Sequence, residues 1–185
     1  MAKRSSRRNA ISVQRAKSGN GWVLVHPSAV REMTEDLEEL RAMIAAGETD
    51  VAIDELRWLL GTCPEIIEGH FLLGKLAAEV DHDLPLARGH FGTGYQLGLQ
   101  ALRRAKMPKP VPMLHPANRM FFDSGRGLVW CLDQLGKQDM ALEVVEQMLV
   151  LDPDDSLGLS GWLDEIRTTG KQMVEFGDLW QGPQP

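Results

Sequence analysis

The sequence predicts an all-α chain built from about three helical hairpins and one terminal helix. The main observation is a duplicated segment: residues 47–64 and 136–153 both begin with Gly, carry Ala five positions later and end with Pro. Between the Ala and the Pro, apolar residues recur every three or four positions, which is the period of an amphipathic helix. Gly permits the turn between two helices, Ala lets them approach closely, and Pro ends the second helix. The two copies therefore indicate a repeated pair of antiparallel helices.

The first hairpin is predicted to follow a short extended run at residues 22–27, which is too isolated to form a sheet alone. A helix over residues 28–46 comes next, because apolar side chains recur at helical spacing and acids crowd its early turns, where they favour the helix dipole. Gly47 ends this helix. The second helix of the hairpin is predicted over about residues 50–61.

The second hairpin is predicted from residues 66–80 and from a helix that starts near Asp83. Four glycines lie in this second helix, and each interior Gly costs up to about 1 kcal/mol relative to Ala. We expect close contact with a neighbouring helix to compensate. These glycines are Gly89, Gly92, Gly94 and Gly98.

An insertion at residues 102–121 interrupts the repeat and contains Pro at four positions. Spaced prolines favour extended backbone, so residues 107–116 are predicted to cross the surface as a stiff strap. Helices are predicted again over residues 117–135 and 139–151, which form the third hairpin.

One further helix is predicted over residues 155–169, where its apolar side chains would cover the last face of the array. Residues 170–185 then form a short C-terminal extension, which could add one turn of helix.

These features resemble the tetratricopeptide repeat (TPR), a unit of about 34 residues made of two antiparallel helices. The resemblance rests on the Gly, Ala and Pro spacing, on the Leu73-Gly74 pair, and on Ala87 followed four residues later by Phe91. Among TPR proteins, the chain resembles uncharacterised bacterial members. The resemblance implies a right-handed solenoid within a helical domain of residues 22–169. Its repeats lie at about 33–66, 67–101 and 122–155, with residues 102–121 inserted.

In TPR proteins the first helices of successive repeats line a concave face, and this face is the predicted partner-binding groove. Its residues mix cations with aromatics, as peptide-binding surfaces do, although the two aromatics could equally be core residues. The resemblance implies a non-enzymatic scaffold or adaptor for a protein or peptide partner, and self-association is left open. The groove residues are Arg41, Phe71, Lys75, Arg126, Trp130, Asp133 and Gln134.

Charge is distributed unevenly along the chain. The formal net charge is −6, yet residues 1–20 contain six basic residues and no acid. With few apolar residues, residues 1–21 are predicted to form a disordered tail. A second acid-free stretch at residues 84–122 leaves open an alternative, an RNA- or ribosome-associated accessory protein. Its anionic partner would meet Lys3, Arg4, Arg7, Arg8, Arg103, Arg104, Lys106 and Lys109.

No catalytic, cofactor or metal site is predicted. Residues 69–76 match most of the phosphate-loop pattern, but Leu76 stands where Ser or Thr would hold magnesium, and the pattern falls inside a predicted helix. The histidines match no metal-ligand spacing, so an enzyme on a helical scaffold is the least favoured alternative. They are His70, His82, His90 and His115.

The two cysteines, Cys63 and Cys131, suggest neither a zinc site nor a disulfide framework, which fits a reducing compartment. No apolar run reaches the roughly 18 to 20 residues needed to span a bilayer, and the N-terminus lacks the apolar core of a secretory signal. The chain is therefore predicted to be cytoplasmic, with no membrane partner.

Overall fold

The structure is a computed structural model that describes residues 10–169 and 174–180. Over these residues the chain is mainly helical, so the predicted all-α class is confirmed. None of the described helices is long and apolar enough to cross a bilayer. The elements are β1 (Ser12–Arg15), β2 (Trp22–Val25), α1 (Ser28–Glu32), α2 (Thr34–Ala45), α3 (Thr49–Thr62), α4 (Ile67–Glu79), α5 (Leu84–Arg104), α6 (Pro116–Gln134), α7 (Gln138–Leu151), α8 (Leu159–Thr169) and a 3-10 turn (Phe176–Asp178).

The strands β1 and β2 form an antiparallel hairpin that was not predicted from the sequence. This hairpin packs on α5 and α6. Ile11 is buried, and its carbonyl oxygen accepts a hydrogen bond from Arg104 Nη2 at 3.1 Å. The prediction of disorder is therefore wrong for residues 10–21, because distant helices supply the burial that this stretch lacks alone. Residues 1–9 of the predicted tail lie outside the described residues.

The observed helices lie close to their predicted bounds, with two clear differences. The predicted helix 28–46 is divided at Met33 into α1 and α2. The predicted helix 155–169 begins only at Leu159, because Asp155 has a φ of +47° and its carboxylate accepts a hydrogen bond from Leu159 N at 2.6 Å. Asp155 therefore caps α8 and is not part of it.

The proline-rich segment is shorter and more buried than predicted. Only residues 105–115, here called the strap, lie between α5 and α6. Val111 and Met113 are buried, and their backbone N–H groups donate to Leu151 O at 2.7 Å and to Asp152 Oδ2 at 3.1 Å. These two hydrogen bonds therefore attach the strap to the end of α7. The prediction that the strap merely crosses the surface is wrong.

Asn118, in the first turn of α6, connects the strap to the N-terminal hairpin. Its side chain is fully buried; Oδ1 accepts from Leu24 N, and Nδ2 donates to Trp22 O and to Pro112 O, each at 3.0 Å. A buried amide is costly unless its hydrogen bonds are made. This side chain therefore fixes β2, the strap and α6 in one arrangement.

Helices α4, α5 and α6 form the centre of the larger hydrophobic core, and glycines let α5 and α6 approach closely. A Cβ added at Gly98 would overlap the Phe121 ring, and one added at Gly94 would lie 2.7 Å from Ser124 Oγ. The expected compensation by close helix contact is confirmed at these two positions. At Gly89, however, an added Cβ would meet no atom within 4 Å.

A smaller core joins the first hairpin to the rest of the chain. Leucines of α2 and α3 pack there with Leu73 and Leu76 of α4. Helix α4 therefore contributes to both cores, and it carries the α2–α3 hairpin beside the central layer.

We predict that Gly98→Ala lowers the free energy of unfolding by about 1 to 3 kcal/mol, because the added methyl group overlaps the Phe121 ring in a packed interface. The measurement is urea unfolding followed by circular dichroism. The matched control is Gly161→Ala in α8, where an added Cβ meets nothing within 4 Å. This change should be neutral or stabilising by up to about 1 kcal/mol. Equal effects at both positions would contradict the packing argument.

Candidate functional site: a helical face covered by the C-terminal segment

One face of α6 carries an unusual set of residues. Asp123, Arg126, Trp130 and Asp133 recur every three or four positions and therefore lie on one side of the helix. The three charged side chains among them are buried. Helix α4 packs beside α6 and contributes Phe71, which is also buried. We call this surface the α4–α6 face.

Residues 174–180, the C-terminal segment, lie on the α4–α6 face. The Trp180 ring packs edge-on against Phe71, with centroids 4.9 Å apart, and the Phe176 ring packs edge-on against Trp130, with centroids 4.7 Å apart. Leu179, between the two aromatics, is fully buried. The segment is therefore anchored by three apolar side chains.

The segment takes the form of a bound peptide. It is extended at Glu175 and then makes one 3-10 turn, after which Leu179 N donates to Phe176 O at 3.3 Å. Trp130 Nε1 donates to Val174 O at 3.2 Å and fixes the start of the segment. The fit is imperfect, because Trp180 Nε1 is buried and has no hydrogen-bond partner among the described residues.

Arg126 lies under the segment, between two tryptophans. Its guanidinium carbon is 5.3 Å from the Trp162 ring centroid and 5.9 Å from that of Trp180, which are cation–π distances. Its Nη1 is 3.4 Å from Asp123 Oδ1, and Arg119 Nε donates to the other oxygen of that carboxylate at 3.3 Å. Burial lowers the pKa of Arg126, and burial also raises the pKa of Asp123 against the attraction of both arginines.

The structure brings together some of the predicted groove residues and not others. Phe71, Arg126 and Trp130 meet around the C-terminal segment, which covers this part of the predicted groove. Of the remaining four, Asp133 is buried, Gln134 is half-buried, Lys75 lies 3.9 Å from Glu79, and Arg41 bonds to Glu68 at 2.6 Å.

Three aromatic residues of this site were not predicted from the sequence: Trp162, Phe176 and Trp180. Their partners come from α4, α5 and α6, far away in the chain. A pattern that could have pointed to them is the presence of two aromatic residues within the short C-terminal extension. Large aromatic side chains are usually buried, so their presence in a short extension indicates that the extension packs against the rest of the chain.

The structure describes four of the eight basic residues predicted to meet an anionic partner. Arg103, Lys106 and Lys109 are exposed, while Arg104 is used to hold the carbonyl of Ile11. The other four, Lys3, Arg4, Arg7 and Arg8, lie outside the described residues. An RNA- or ribosome-associated role therefore stays a prediction.

Two histidines approach each other, but the surroundings suggest packing. The His70 and His90 ring centroids are 6.2 Å apart, and His70 Nε2 lies 3.0 Å from Pro64 O. Burial lowers the pKa of both imidazoles, which keeps them neutral at ordinary pH. Among the described residues, no cluster of three or more His, Cys, Asp or Glu side chains could hold a metal ion.

The phosphate-loop-like stretch lies inside α4, as predicted, with Gly69 and Gly74 buried against other side chains. Cys131 is fully buried on α6, and burial raises the pKa of its thiol to about 12. Such a thiol remains protonated and is a poor nucleophile.

The free energy of unfolding should depend on pH through the ionisation of the buried Asp123 carboxyl. Its folded pKa lies above the ordinary value of 3.8, so the folded state binds this proton more tightly than the unfolded state does. That stabilising contribution is complete below the unfolded pKa and is lost as the pH rises through the folded pKa. We predict that Asp123→Asn becomes progressively more stable relative to the wild type as the pH rises from acid to neutral.

This comparison is made by urea unfolding of both proteins at several pH values. The control is Asp164→Asn on the exposed side of α8, which removes a carboxyl group from a site outside the buried cluster. A wild type that gains stability over Asp123→Asn on the way to neutral pH would contradict the assigned direction.

Comparison of the chain with protein-family models, with curated proteins and with solved structures gives no match.

Proposed function

We propose that this protein is a non-enzymatic adaptor that binds a peptide segment of a partner protein on the α4–α6 face. The observation that carries this proposal is the position of residues 174–180, which occupy the face as a peptide ligand would. A surface that holds an aromatic segment of its own chain has the shape and chemistry to hold a similar segment of another protein.

The face offers two aromatic sites separated by an apolar one. At one site the Trp180 ring packs against Phe71, and its centroid lies 5.9 Å from that of Phe91. At the other site Phe176 packs against Trp130. In the segment these anchors follow the order Phe-x-x-Leu-Trp, which places Phe176 and Leu179 on the same side of a single 3-10 turn, with Trp180 next in the chain. Aromatic anchors in pockets dominate the energy of most peptide interfaces. We therefore expect partners with two aromatics around an aliphatic residue at this spacing.

The arrangement of helices also supports a TPR-like adaptor. Helices α4 and α6 are the first members of consecutive hairpins, pack against each other and present the face, as the TPR resemblance implies. In such folds the first helices carry the binding residues, so the occupied face is the one where a partner is expected.

A partner has to displace the C-terminal segment, and the segment is not an optimal ligand. Trp180 Nε1 is buried and has no hydrogen-bond partner among the described residues, and a buried donor that lacks a partner costs about 1 to 3 kcal/mol. A ligand that offers an acceptor at this point, or carries Phe in place of Trp, avoids that cost. We therefore expect that a suitable ligand can replace the C-terminal segment on the α4–α6 face.

The test uses the full chain and a fluorescent peptide that copies residues 174–180. In the wild type the peptide competes with a tethered segment whose effective concentration is on the order of millimolar. We predict that Phe176→Ala/Trp180→Ala binds the peptide at least about tenfold more tightly than the wild type, measured by fluorescence anisotropy.

Two controls accompany this experiment. Trp58→Ala removes an exposed tryptophan of α3, away from the face, and should leave peptide binding as in the wild type. The single variant Phe176→Ala opens one aromatic site with less loss of packing. Helical variants that bind the peptide no better than the wild type does would contradict the proposal.

A further inference from the structure

A second cavity among the described residues lies on the side of α6 opposite to the α4–α6 face. It is a groove of about 660 Å³ between α5 and α7, with Leu128 and Leu132 of α6 at its floor. These two leucines point away from Arg126 and Trp130, because positions two apart on a helix face nearly opposite directions. The α5–α7 groove is therefore separate from the α4–α6 face.

The two ridges of this groove carry opposite charges. Helix α5 contains Arg88, Arg103 and Arg104 and no acid, whereas α7 contains Asp139, Glu143 and Glu146 and no base. Of these six, Arg104 bonds to Ile11 and Glu146 pairs with Arg167 of α8 at 2.6 Å. The other four take part in no ion pair among the described residues, so each ridge keeps unneutralised charge facing outward.

The two ridges run in the same direction. Gly92 of α5 faces Leu128, and Gly98 faces Phe121, so α5 is antiparallel to α6. Gly125 of α6 faces Met148, and α6 is joined to α7 by a short turn, so α7 is antiparallel to α6 as well. The Arg88 end of α5 therefore lies at the same level as the Met140 end of α7.

At this end of the groove, a hollow on one ridge corresponds to a projection on the other. Gly89 has no neighbour within 4 Å of a Cβ position, yet it costs up to about 1 kcal/mol in the interior of a 21-residue helix. Met140, on the opposite ridge, is 50% exposed. Neither feature is explained by contacts within the chain.

We propose that the α5–α7 groove is the interface of a homodimer, formed by a second copy of this chain across a two-fold axis that runs along the groove. Such an axis exchanges the two ridges and keeps their direction. Each basic α5 then faces the acidic α7 of the other copy, and Met140 of the second copy enters the hollow at Gly89. A perpendicular two-fold axis in the interface would instead place like charges together, which is unfavourable.

This surface differs from the proposed peptide site, and both can be occupied at once. The pairing is isologous, since one patch with two complementary halves meets its own copy. Because the facing charges lie at the rim of an apolar floor, dimerisation should weaken as the salt concentration rises.

The experiment is sedimentation velocity on the full chain from low to high micromolar concentration, with a charge exchange across the interface. We expect the wild type to dimerise, and we expect R88E and E143R each to raise the dimer dissociation constant at least about tenfold by placing like charges together. The double variant R88E/E143R should restore dimerisation, because each opposite-charge pair is re-formed across the axis.

Two further variants separate the interface from effects on folding. G89Q places a side chain where an added Cβ meets nothing within 4 Å, and it should weaken the dimer while leaving the helical circular dichroism unchanged. E55R, on the exposed side of α3, alters the net charge equally to E143R and should not affect the dimer. A wild type that stays monomeric throughout, or single variants that dimerise as it does, would overturn the proposal. Peptide binding to the α4–α6 face is unaffected by either outcome.

Discussion

Close contact between α5 and α6 is the constraint on which the rest of the structure depends. Gly98 and Gly94 allow the Phe121 ring and Ser124 to lie directly against the backbone of α5. With these helices in contact, one side of α6 is directed to the α4–α6 face and the other to the floor of the α5–α7 groove. Both proposed interfaces therefore depend on α6 being held at this distance, and the glycines that weaken α5 as an isolated helix make the arrangement possible.

The C-terminal segment has two opposing effects on the stability of the chain. Its Leu179 and Trp180 cover Phe71 and complete the hydrophobic core, which stabilises the chain. Its removal would expose apolar area, but it would also rehydrate Arg126 and Asp123, whose charged forms are disfavoured by burial. In the proposed function, this buried charge would lower the cost of opening the face and so help a partner to displace the segment.

The strap and Asn118 show how an insertion can become structural. Val111 and Met113 fill the space beside the end of α7, and Asn118 joins the strap to β2 through three hydrogen bonds. Asp152 accepts from Met113 N while it also accepts from Ser156 Oγ at 2.9 Å, so the same carboxylate organises the turn that leads to α8. The N-terminal hairpin, the insertion and the last helix are thereby coupled to the third hairpin.

The sequence by itself determined the helices, because apolar spacing, Gly turns and Pro stops are local properties, and the duplicated segments at 47–64 and 136–153 repeat them. It also pointed to Phe71, Arg126 and Trp130 as neighbours on one face, through the TPR resemblance. Only the tertiary structure decided what covers that face, because Phe176 and Trp180 find their partners across more than forty residues of intervening chain. The pairing of β1 with β2 was likewise decided by burial against α5 and α6. Local patterns specify which elements form, whereas the choice between core and surface for an aromatic side chain depends on contacts between distant parts of the chain.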